Sequence, residues 1–274
     1  MTANKSQTNN ESNYNEKDLL VSIIIITFKR SELLKEAIKS ALSQTYHNIE
    51  VIVVDDNDLG TIESEYVKNL VSEFDGVKYV STVHNSGQCI ARDTGVSEAR
   101  GDFINFLDDD DLLVNNKIEL QINKFKELCD QSPKECVPSL IGGFEQYIDA
   151  DGNVIGERIN RINGDVFLDN LNECICQTSV PIICKKTYIE AGGSGRISAC
   201  TDHYLFSRIL NVNPYYDYVD DYVVKIRHYD GPRVSNGVNK IKGTIELFQH
   251  FENEFFPEMK EEDVKIVSRS VRET

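Results

Sequence analysis

The sequence predicts an α/β protein with a doubly wound, mostly parallel sheet, and two observations carry that prediction. The first is a set of four short β-branched runs that are continuous rather than alternating, as strands buried on both faces are. They lie at 19–28, 49–56, 77–82 and 102–108. The second is the amphipathic segment between each run and the next, at 32–44, 61–74 and 88–99. The order β-α-β-α-β-α-β predicts right-handed crossovers, with helices on both faces of the sheet.

A different pattern begins near residue 137 and predicts a smaller, more antiparallel part. Two strands flank the turn DADGN within 137–159, which indicates a hairpin. A strand and short helix, a helix at 201–211 and a last strand at 221–235 follow, with Arg227 and His228 near the end of that strand. We therefore predict a disordered N-terminal segment, one domain with a parallel first half and a more antiparallel second half, and a helical C-terminal tail. Their bounds are 1–18, 19–235 (halves 19–136 and 137–235) and 236–274.

Composition narrows the class of protein. The chain has 274 residues, of which 40% are hydrophobic, enough to bury one large core. With 29 basic and 45 acidic residues the net charge is −16, which argues against nucleic acid as a partner and disfavours an anionic membrane surface, although a local basic patch could still dock one.

Cysteines and targeting signals are also informative. The seven cysteines never form a C-x-x-C pair, so we interpret them as reduced thiols; Cys174 and Cys176 lack a second ligand pair at zinc spacing. The polar N-terminus has no apolar leader region, and no run of about 18 apolar residues occurs, so we expect a cytoplasmic protein.

Charged residues crowd the predicted carboxyl edge of the sheet, where such folds bind ligands. The strands end in TFKR at 27–30, DDND at 55–58 and DDDD at 108–111. Adjacent carboxylates repel one another unless a cation or hydrogen-bond donors lie among them, so the cluster predicts a bound cation. The dinucleotide fingerprint and the P-loop are both absent, and the glycine-free TFKRSE disfavours a nucleotidyltransferase. DDNDLG is not a calcium loop, because Leu59 occupies its fifth position.

Several segments together resemble the family 2 glycosyltransferases of bacteria, over about residues 20 to 235. In order they are IIITFKR, IEVIVVDD, HNSGQCIARDTGVSEARGDFINFLDDDD, EAGG and TDHYLF. The resemblance implies the GT-A fold, a Rossmann-like sheet with a smaller antiparallel acceptor side. It also implies inverting transfer from a nucleotide-sugar, with a UDP-sugar favoured. Ile26 and Lys29 replace the Pro and Asn of the usual P-T-Y-N-R, and Thr201 replaces the Glu of the usual E-D pair. These departures bear on donor preference more than on the reaction.

The resemblance implies roles for the acidic residues at 108–111. Asp108-x-Asp110 corresponds to the family's D-x-D motif. It implies that Asp110 binds Mn²⁺ or Mg²⁺ directly and that Asp108 contacts the donor ribose, the metal or a metal-bound water. Asp109 is then a ribose contact or a structural partner. Hard divalent cations take oxygen ligands and neutralise charge that develops on a leaving diphosphate. We interpret Asp111 as a solvated acid at a helix start.

The remaining donor residues are also implied by the resemblance. Asp56 corresponds to the aspartate that contacts the nucleotide base, and Thr27, Phe28 and Arg30 belong to the donor-binding first motif. Arg92 corresponds to a basic residue near the donor; a surface salt bridge is the alternative.

Two residues are candidates for the chemistry itself. Asp202 corresponds to the general base that takes the proton of the acceptor hydroxyl; a helix cap or first-turn acid is the alternative. His228 is predicted to bind the metal or the diphosphate, with a structural or exposed histidine as the alternative.

The implied partners are a nucleotide-sugar and a glycan or lipid-linked saccharide, as in bacterial surface polysaccharide synthesis. Peripheral association with the inner face of the membrane would follow from a lipid-linked acceptor. The alternative is a catalytically inactive nucleotide-sugar-binding protein of the same fold. The joint presence of Asp56, Asp108, Asp110 and Asp202 favours the enzyme.

Overall fold

The computed structural model describes residues 18–29, 31–131, 137–228 and 238–273. The N-terminal segment predicted to be disordered, apart from Asp18, and the predicted donor residue Arg30 lie outside the described residues. None of the helices in the described ranges has the length and hydrophobicity that a bilayer crossing requires.

The parallel half of the sheet is as predicted. Its strands are β1 (Val21–Thr27), β2 (Ile49–Asp55), β3 (Val77–Ser81) and β4 (Phe103–Asp108). They pair in parallel in the order β3-β2-β1-β4. In this register Thr27 lies beside Asp55, and Ile26 lies beside Asp108. The carboxyl ends of three strands are therefore level, which brings the predicted donor and metal residues to one edge.

Three helices connect these strands: α1 (Ser31–Leu42), α2 (Ile62–Ser72) and α3 (Gln88–Glu98). The apolar stripe of α1 is fully buried at Leu34, Ala37, Ile38 and Ala41. Leu42, the last residue of α1, is 41% exposed. Burial of these aliphatic faces removes apolar surface from water and holds the helices on the sheet.

The second half extends the same sheet with shorter and mixed strands. Its first elements are β5 (Leu112–Leu113), α4 (Lys117–Gln131), β6 (Leu140–Ile148), β7 (Val154–Arg158), β8 (Gly164–Asp165) and α5 (Phe167–Asn172). Then come β9 (Ile182–Cys184), α6 (Lys185–Glu190), α7 (Thr201–Val212) and β10 (Tyr215–Arg227). The strand order continues from β4 as β9-β6-β10-β5, with β9 antiparallel to both of its neighbours. β7 pairs with β6 as the predicted antiparallel hairpin.

The last strand differs from its prediction. It begins at Tyr215 rather than residue 221, ends at Arg227 and pairs in parallel with β6, with register shifts between Tyr218 and Val224. Asp220 and Asp221 lie at this irregularity and are exposed, so their polarity masked the strand pattern in the sequence. Such bulges add residues without ending the pairing.

The C-terminal residues form α8 (Val238–Glu254), a short 3-10 turn (Phe256–Glu258) and α9 (Glu261–Glu273). A small hydrophobic cluster joins these helices to α5 and α7. Its buried members are Leu171, Tyr204, Leu247, Phe251, Phe255 and Val267. The tail helices are thereby packed against the helix that carries Asp202.

Candidate active site

Two clefts meet at the carboxyl edge of the parallel strands. The first has a volume of about 630 Å³ and the second about 560 Å³. Asp108 lines both clefts, together with Gln88 and Thr201. The first cleft also contains Phe28, Asp56, Arg92 and Asp109, and the second contains Asp110, Asp111 and Asp202. This arrangement provides two adjoining clefts at the edge where α/β sheets bind ligands.

The four consecutive acids form a turn at the end of β4, in which Asp111 N donates to Asp108 O at 3.1 Å. One carboxylate oxygen from each of Asp108, Asp110 and Asp111 lies within 4.8 Å of the other two. An all-oxygen group of this kind is the ligand type that Mg²⁺ and Mn²⁺ prefer. These side chains therefore fit a divalent cation.

Asp111 differs from its predicted role as a solvated acid at a helix start. It is 3% exposed, precedes β5 rather than a helix, and accepts hydrogen bonds from Ser179 Oγ at 2.9 Å and Arg227 N at 3.1 Å. Burial, and then repulsion by Asp108 and Asp110, raise the pKa of Asp111 well above its usual range. The prediction is wrong because the turn folds this side chain inward, beside the other two carboxylates.

Arg227 forms hydrogen bonds with the acidic turn, and the sequence did not predict this role. Its Nε donates to Asp110 O at 3.1 Å, its Nη1 to Ala150 O at 2.9 Å and its Nη2 to Glu36 Oε2 at 2.7 Å. The buried guanidinium thus ties the turn to α1 and to the β6–β7 hairpin. The sequence offered one signal, an arginine at the end of a strand, which does not reveal what it contacts.

Thr27 and Asp109 join the ends of β1 and β4. Thr27 Oγ1 donates to Asp109 Oδ2 at 2.7 Å, and both residues are buried. This contact supports the structural role of Asp109, while its contact with ribose stays a prediction. Phe28 follows Thr27, is 36% exposed and lines the first cleft, where a flat ligand surface could pack on its ring.

Asp56 organises the loop that precedes α3. Its Oδ1 accepts from Thr82 Oγ1 at 2.8 Å and Ser86 N at 2.9 Å, and its Oδ2 accepts from Gly87 N at 2.9 Å. Gly87 has φ of +83°, a conformation that glycine adopts without a Cβ clash. Because a carboxylate has about four acceptor positions, Oδ2 retains capacity for a donor from the cleft.

Arg92 on α3 and Asp202 on α7 form an ion pair between the two clefts. Arg92 Nη2 lies 3.0 Å from Asp202 Oδ1 and 3.0 Å from Thr178 Oγ1. Arg92 is 1% exposed, so the alternative of a surface salt bridge is wrong. Burial by itself would lower the pKa of Arg92, but the carboxylates of Asp202 and Asp108 raise it. The guanidinium therefore remains a buried positive charge.

Asp202 is the second residue of α7, but its carboxylate bonds groups outside the helix backbone. Besides Arg92, it accepts a 3.2 Å bond from Thr201 Oγ1 at Oδ1 and a long, 3.4 Å bond from Thr178 N at Oδ2. Its side chain is 30% exposed and lines the second cleft. It is thus a first-turn acid that Arg92 orients, with Oδ2 the less engaged oxygen.

His228 follows Arg227, which contacts the acidic turn, but His228 is not part of the acidic group. Its N–H donates to Ile148 O at 2.7 Å, and its ring centroid lies 4.8 Å from that of Tyr147. Within the described ranges, the group of metal-ligating side chains consists of Asp108, Asp110 and Asp111. A metal or diphosphate contact by His228 stays a prediction.

The cysteine pair lies in the second cleft without forming a metal site in the described residues. Cys174 Sγ donates to Cys176 O at 3.1 Å. Burial raises the pKa of both thiols.

Comparison with known proteins identifies the class of this fold. Residues 22–132 match the model of the family described as Glycosyl transferase family 2. Two solved structures align over nearly the whole chain. The S. aureus TarS 1–349 complex with UDP-GlcNAc has a TM-score of 0.60 at 17% identity, covering 92% of this chain and 79% of that one. The Pyrobaculum calidifontis mannosyltransferase PcManGT, in complex with GDP-Man and Mn²⁺, has a TM-score of 0.62 at 16% identity, covering 93% and 70%.

The matched residues identify a glycosyltransferase family 2 domain with the GT-A fold in this chain. Among relatives, the UDP-Glc:alpha-D-GlcNAc-diphosphoundecaprenol beta-1,3-glucosyltransferase WfgD of Escherichia coli is 37% identical over 108 residues, or 39% of this chain and 41% of the relative. The chain spans between 18% and 41% of the length of the first curated relatives that it matches. The predicted fold is confirmed, and the predicted family is confirmed for residues 22–132.

Proposed function

We propose that this protein is a metal-dependent, inverting glycosyltransferase that moves a sugar from a UDP-sugar to a glycan or lipid-linked saccharide. The observation that carries the proposal is that Asp108 lies at the boundary of two clefts, while Asp202 lines the second cleft only. A donor in the first cleft and an acceptor in the second would meet at that boundary. The reacting carbon would then lie between the metal-binding acids and the base.

The first cleft suits a nucleotide diphosphate donor. Asp56 Oδ2 can accept the N3–H of uracil while Asp56 continues to hold the Ser86–Gly87 backbone. Phe28 offers an aromatic surface beside it. UDP-sugars are named for WfgD and for the TarS complex, which supports UDP as the nucleotide.

Asp108 and Asp110 would hold Mn²⁺ or Mg²⁺, with Asp111 behind them. When bound, the cation neutralises the negative charge that develops on the departing diphosphate. The convergence of three carboxylates and the raised pKa of Asp111 support this, because such a group is stabilised by a positive charge. The Mn²⁺ in the PcManGT complex is consistent with it.

Asp202 would remove the proton of the acceptor hydroxyl. The hydroxyl oxygen attacks the anomeric carbon as the bond from that carbon to the diphosphate oxygen breaks on the opposite face, and the proton passes to Asp202. Arg92 contacts Oδ1, so the less engaged Oδ2 would accept the proton.

The acceptor we propose is a saccharide linked to a polyprenyl diphosphate, used in surface polysaccharide synthesis. The name of WfgD includes such an acceptor. An acceptor of this kind places the reaction at the cytoplasmic face of the membrane, with the protein in peripheral contact with it. The alternative is a protein of the same fold that binds nucleotide-sugars without transfer.

The test is a transfer assay with purified protein, Mn²⁺, a panel of UDP-sugars and diphosphoundecaprenol-linked GlcNAc. We expect at least one UDP-sugar to raise the melting temperature and to be transferred to the acceptor. Binding without transfer to any saccharide acceptor would favour the inactive alternative. Absence of binding by every nucleotide-sugar would refute the proposal.

Chelation should abolish transfer. With excess EDTA, we expect turnover to fall below 1% of its starting rate, on the order expected for losing metal stabilisation of the leaving group. Addition of Mn²⁺ or Mg²⁺ in excess of the chelator should restore it. The measurement is UDP release over time, and full turnover in EDTA would contradict the metal requirement.

Asp56→Asn should weaken donor binding. The amide retains one acceptor oxygen but brings an NH₂ group toward N–H donors, so the donor KM should rise about 10-fold or more, with kcat changing much less. The matched control is Asp58→Asn, because Asp58 also accepts from this loop, at Asn85 N, but lies outside the cleft lining. A collapse of kcat at unchanged donor affinity would remove Asp56 from the nucleotide contact.

A further inference from the structure

The C-terminal helix α8 contributes one wall of the first cleft. Glu246, in the middle of α8, lines this cleft together with Arg196, Ile197 and Ser198 from the segment that precedes α7. It does not line the second cleft, where Asp202 lies. A carboxylate from the tail therefore reaches the cleft assigned to the donor.

The position of Glu246 is fixed by two kinds of contact. Ser198 donates to Glu246 Oε2 from its N at 3.0 Å and from its Oγ at 2.5 Å. One turn earlier, α8 approaches Ala199 so closely that a Cβ at Gly243 would lie 2.5 Å from Ala199 Cβ. Because both contacts involve residues just before Thr201 and Asp202, α8 docks against the boundary of the two clefts.

The two carboxylate oxygens of Glu246 differ in their partners. Both bonds from Ser198 end at Oε2, and among the described residues no hydrogen bond reaches Oε1. A carboxylate accepts hydrogen bonds from hydroxyl groups, and such charge-assisted bonds are stronger than neutral ones. Oε1 is therefore an acceptor that a ligand hydroxyl in the cleft can satisfy.

We propose that Glu246 contacts the donor sugar, accepting a hydrogen bond from one of its hydroxyl groups and so selecting among sugars. This inference rests on the proposed function. Asp56 is assigned to the nucleotide base and Asp108 to the metal that would accompany the diphosphate. The remaining part of the first cleft, lined by Ser198 and Glu246, would receive the sugar. Thr201 and Gln88 lie at the boundary with the second cleft, where Thr201 Oγ1 donates to Gln88 Oε1 at 3.0 Å. The anomeric carbon would lie at this boundary, and the rest of the sugar would lie in the first cleft, whose lining includes Glu246.

The competing role for Glu246 is purely structural, as the acceptor of the two hydrogen bonds from Ser198. Loss of a structural contact would change the affinity for every donor by the same factor, whereas a contact with a sugar hydroxyl depends on the configuration of the sugar. The ratio of affinities between epimeric UDP-sugars therefore separates the two roles. A site that bonds a specific hydroxyl discriminates against analogues that lack it in the right place.

The test measures binding of UDP, UDP-glucose, UDP-galactose, UDP-GlcNAc and UDP-GalNAc, with Mn²⁺, to the full chain and its variants by calorimetry. Glu246→Gln and Glu246→Ala should weaken binding of the preferred sugar donor by about 10- to 100-fold and reduce the preference between epimers, because a bond to a charged acceptor is lost. Affinity for UDP should stay within about 2-fold. Glu252→Gln, an exposed glutamate on the same helix, should change neither quantity.

The proposal is overturned if the Glu246 variants keep the wild-type preference, or weaken UDP and every UDP-sugar by the same factor. If the wild type binds no nucleotide-sugar, the proposed function and the role of Glu246 both fail; if it binds and discriminates, the role of Glu246 alone is tested.

Discussion

Asp202→Asn should reduce kcat for transfer by about 100-fold or more while the affinity for UDP and Mn²⁺ holds. A positioned general base contributes on the order of 10²–10⁴ in rate, and an amide does not accept the hydroxyl proton at neutral pH. The ion pair with Arg92 adds a second consequence. Because Arg92 is 1% exposed, removing the charge of its partner should lower the free energy of unfolding by about 1–3 kcal/mol.

Steady-state transfer of labelled sugar, donor titration and denaturant unfolding measure these effects separately. The matched control is Asp169→Asn, because Asp169 is also an aspartate in the first turn of a helix but is exposed. This control should leave turnover and stability close to wild type. Turnover within a few-fold of wild type in Asp202→Asn would show that Asp202 is a structural partner of Arg92 and not the base.

Asp110→Asn should remove metal-dependent donor binding and lower kcat/KM by at least about 100-fold, since one anionic ligand of the metal becomes neutral. The fold should persist. Arg227 Nε bonds the backbone oxygen of Asp110, so the substitution leaves that contact in place. Calorimetric titration with Mn²⁺, in the presence and absence of UDP, measures the effect.

Asp75→Asn provides the control for this substitution. Asp75 is exposed and lies in the turn before β3, at the opposite edge of the parallel strands. It should leave Mn²⁺ affinity and donor binding unchanged. Wild-type Mn²⁺ affinity in Asp110→Asn would exclude Asp110 as a ligand and would leave Asp108 and Asp111 to account for the acidic group.

The predictable part of the fold was local in origin. Continuous β-branched runs marked β1, β2 and β4 because strands buried on both faces need apolar side chains at every position. The start of β10 was predicted six residues too late. The exposed acids at the register shift interrupt the apolar pattern that is typical of a strand. The residues of the candidate site also divide into those that local sequence could predict and those that depend on distant contacts. The positions of Asp56 and Asp108 at the carboxyl edge were predictable because both lie at strand ends, whereas the buried position of Asp111 depends on a turn whose neighbours are distant in sequence.

The sequence by itself determined the order of strands and helices, the acidic edge and the family to which the motifs belong. Each of these follows from residue types over a few positions, which fix side-chain periodicity and place polar residues at strand ends. Only the tertiary structure decided which charges meet. Arg92 and Asp202 are 110 residues apart, and Arg227 and Asp111 are 116 apart. Glu246 reaches Ser198 across 48 residues by the docking of α8. Such contacts are set by sheet order and helix packing, and no local pattern encodes them.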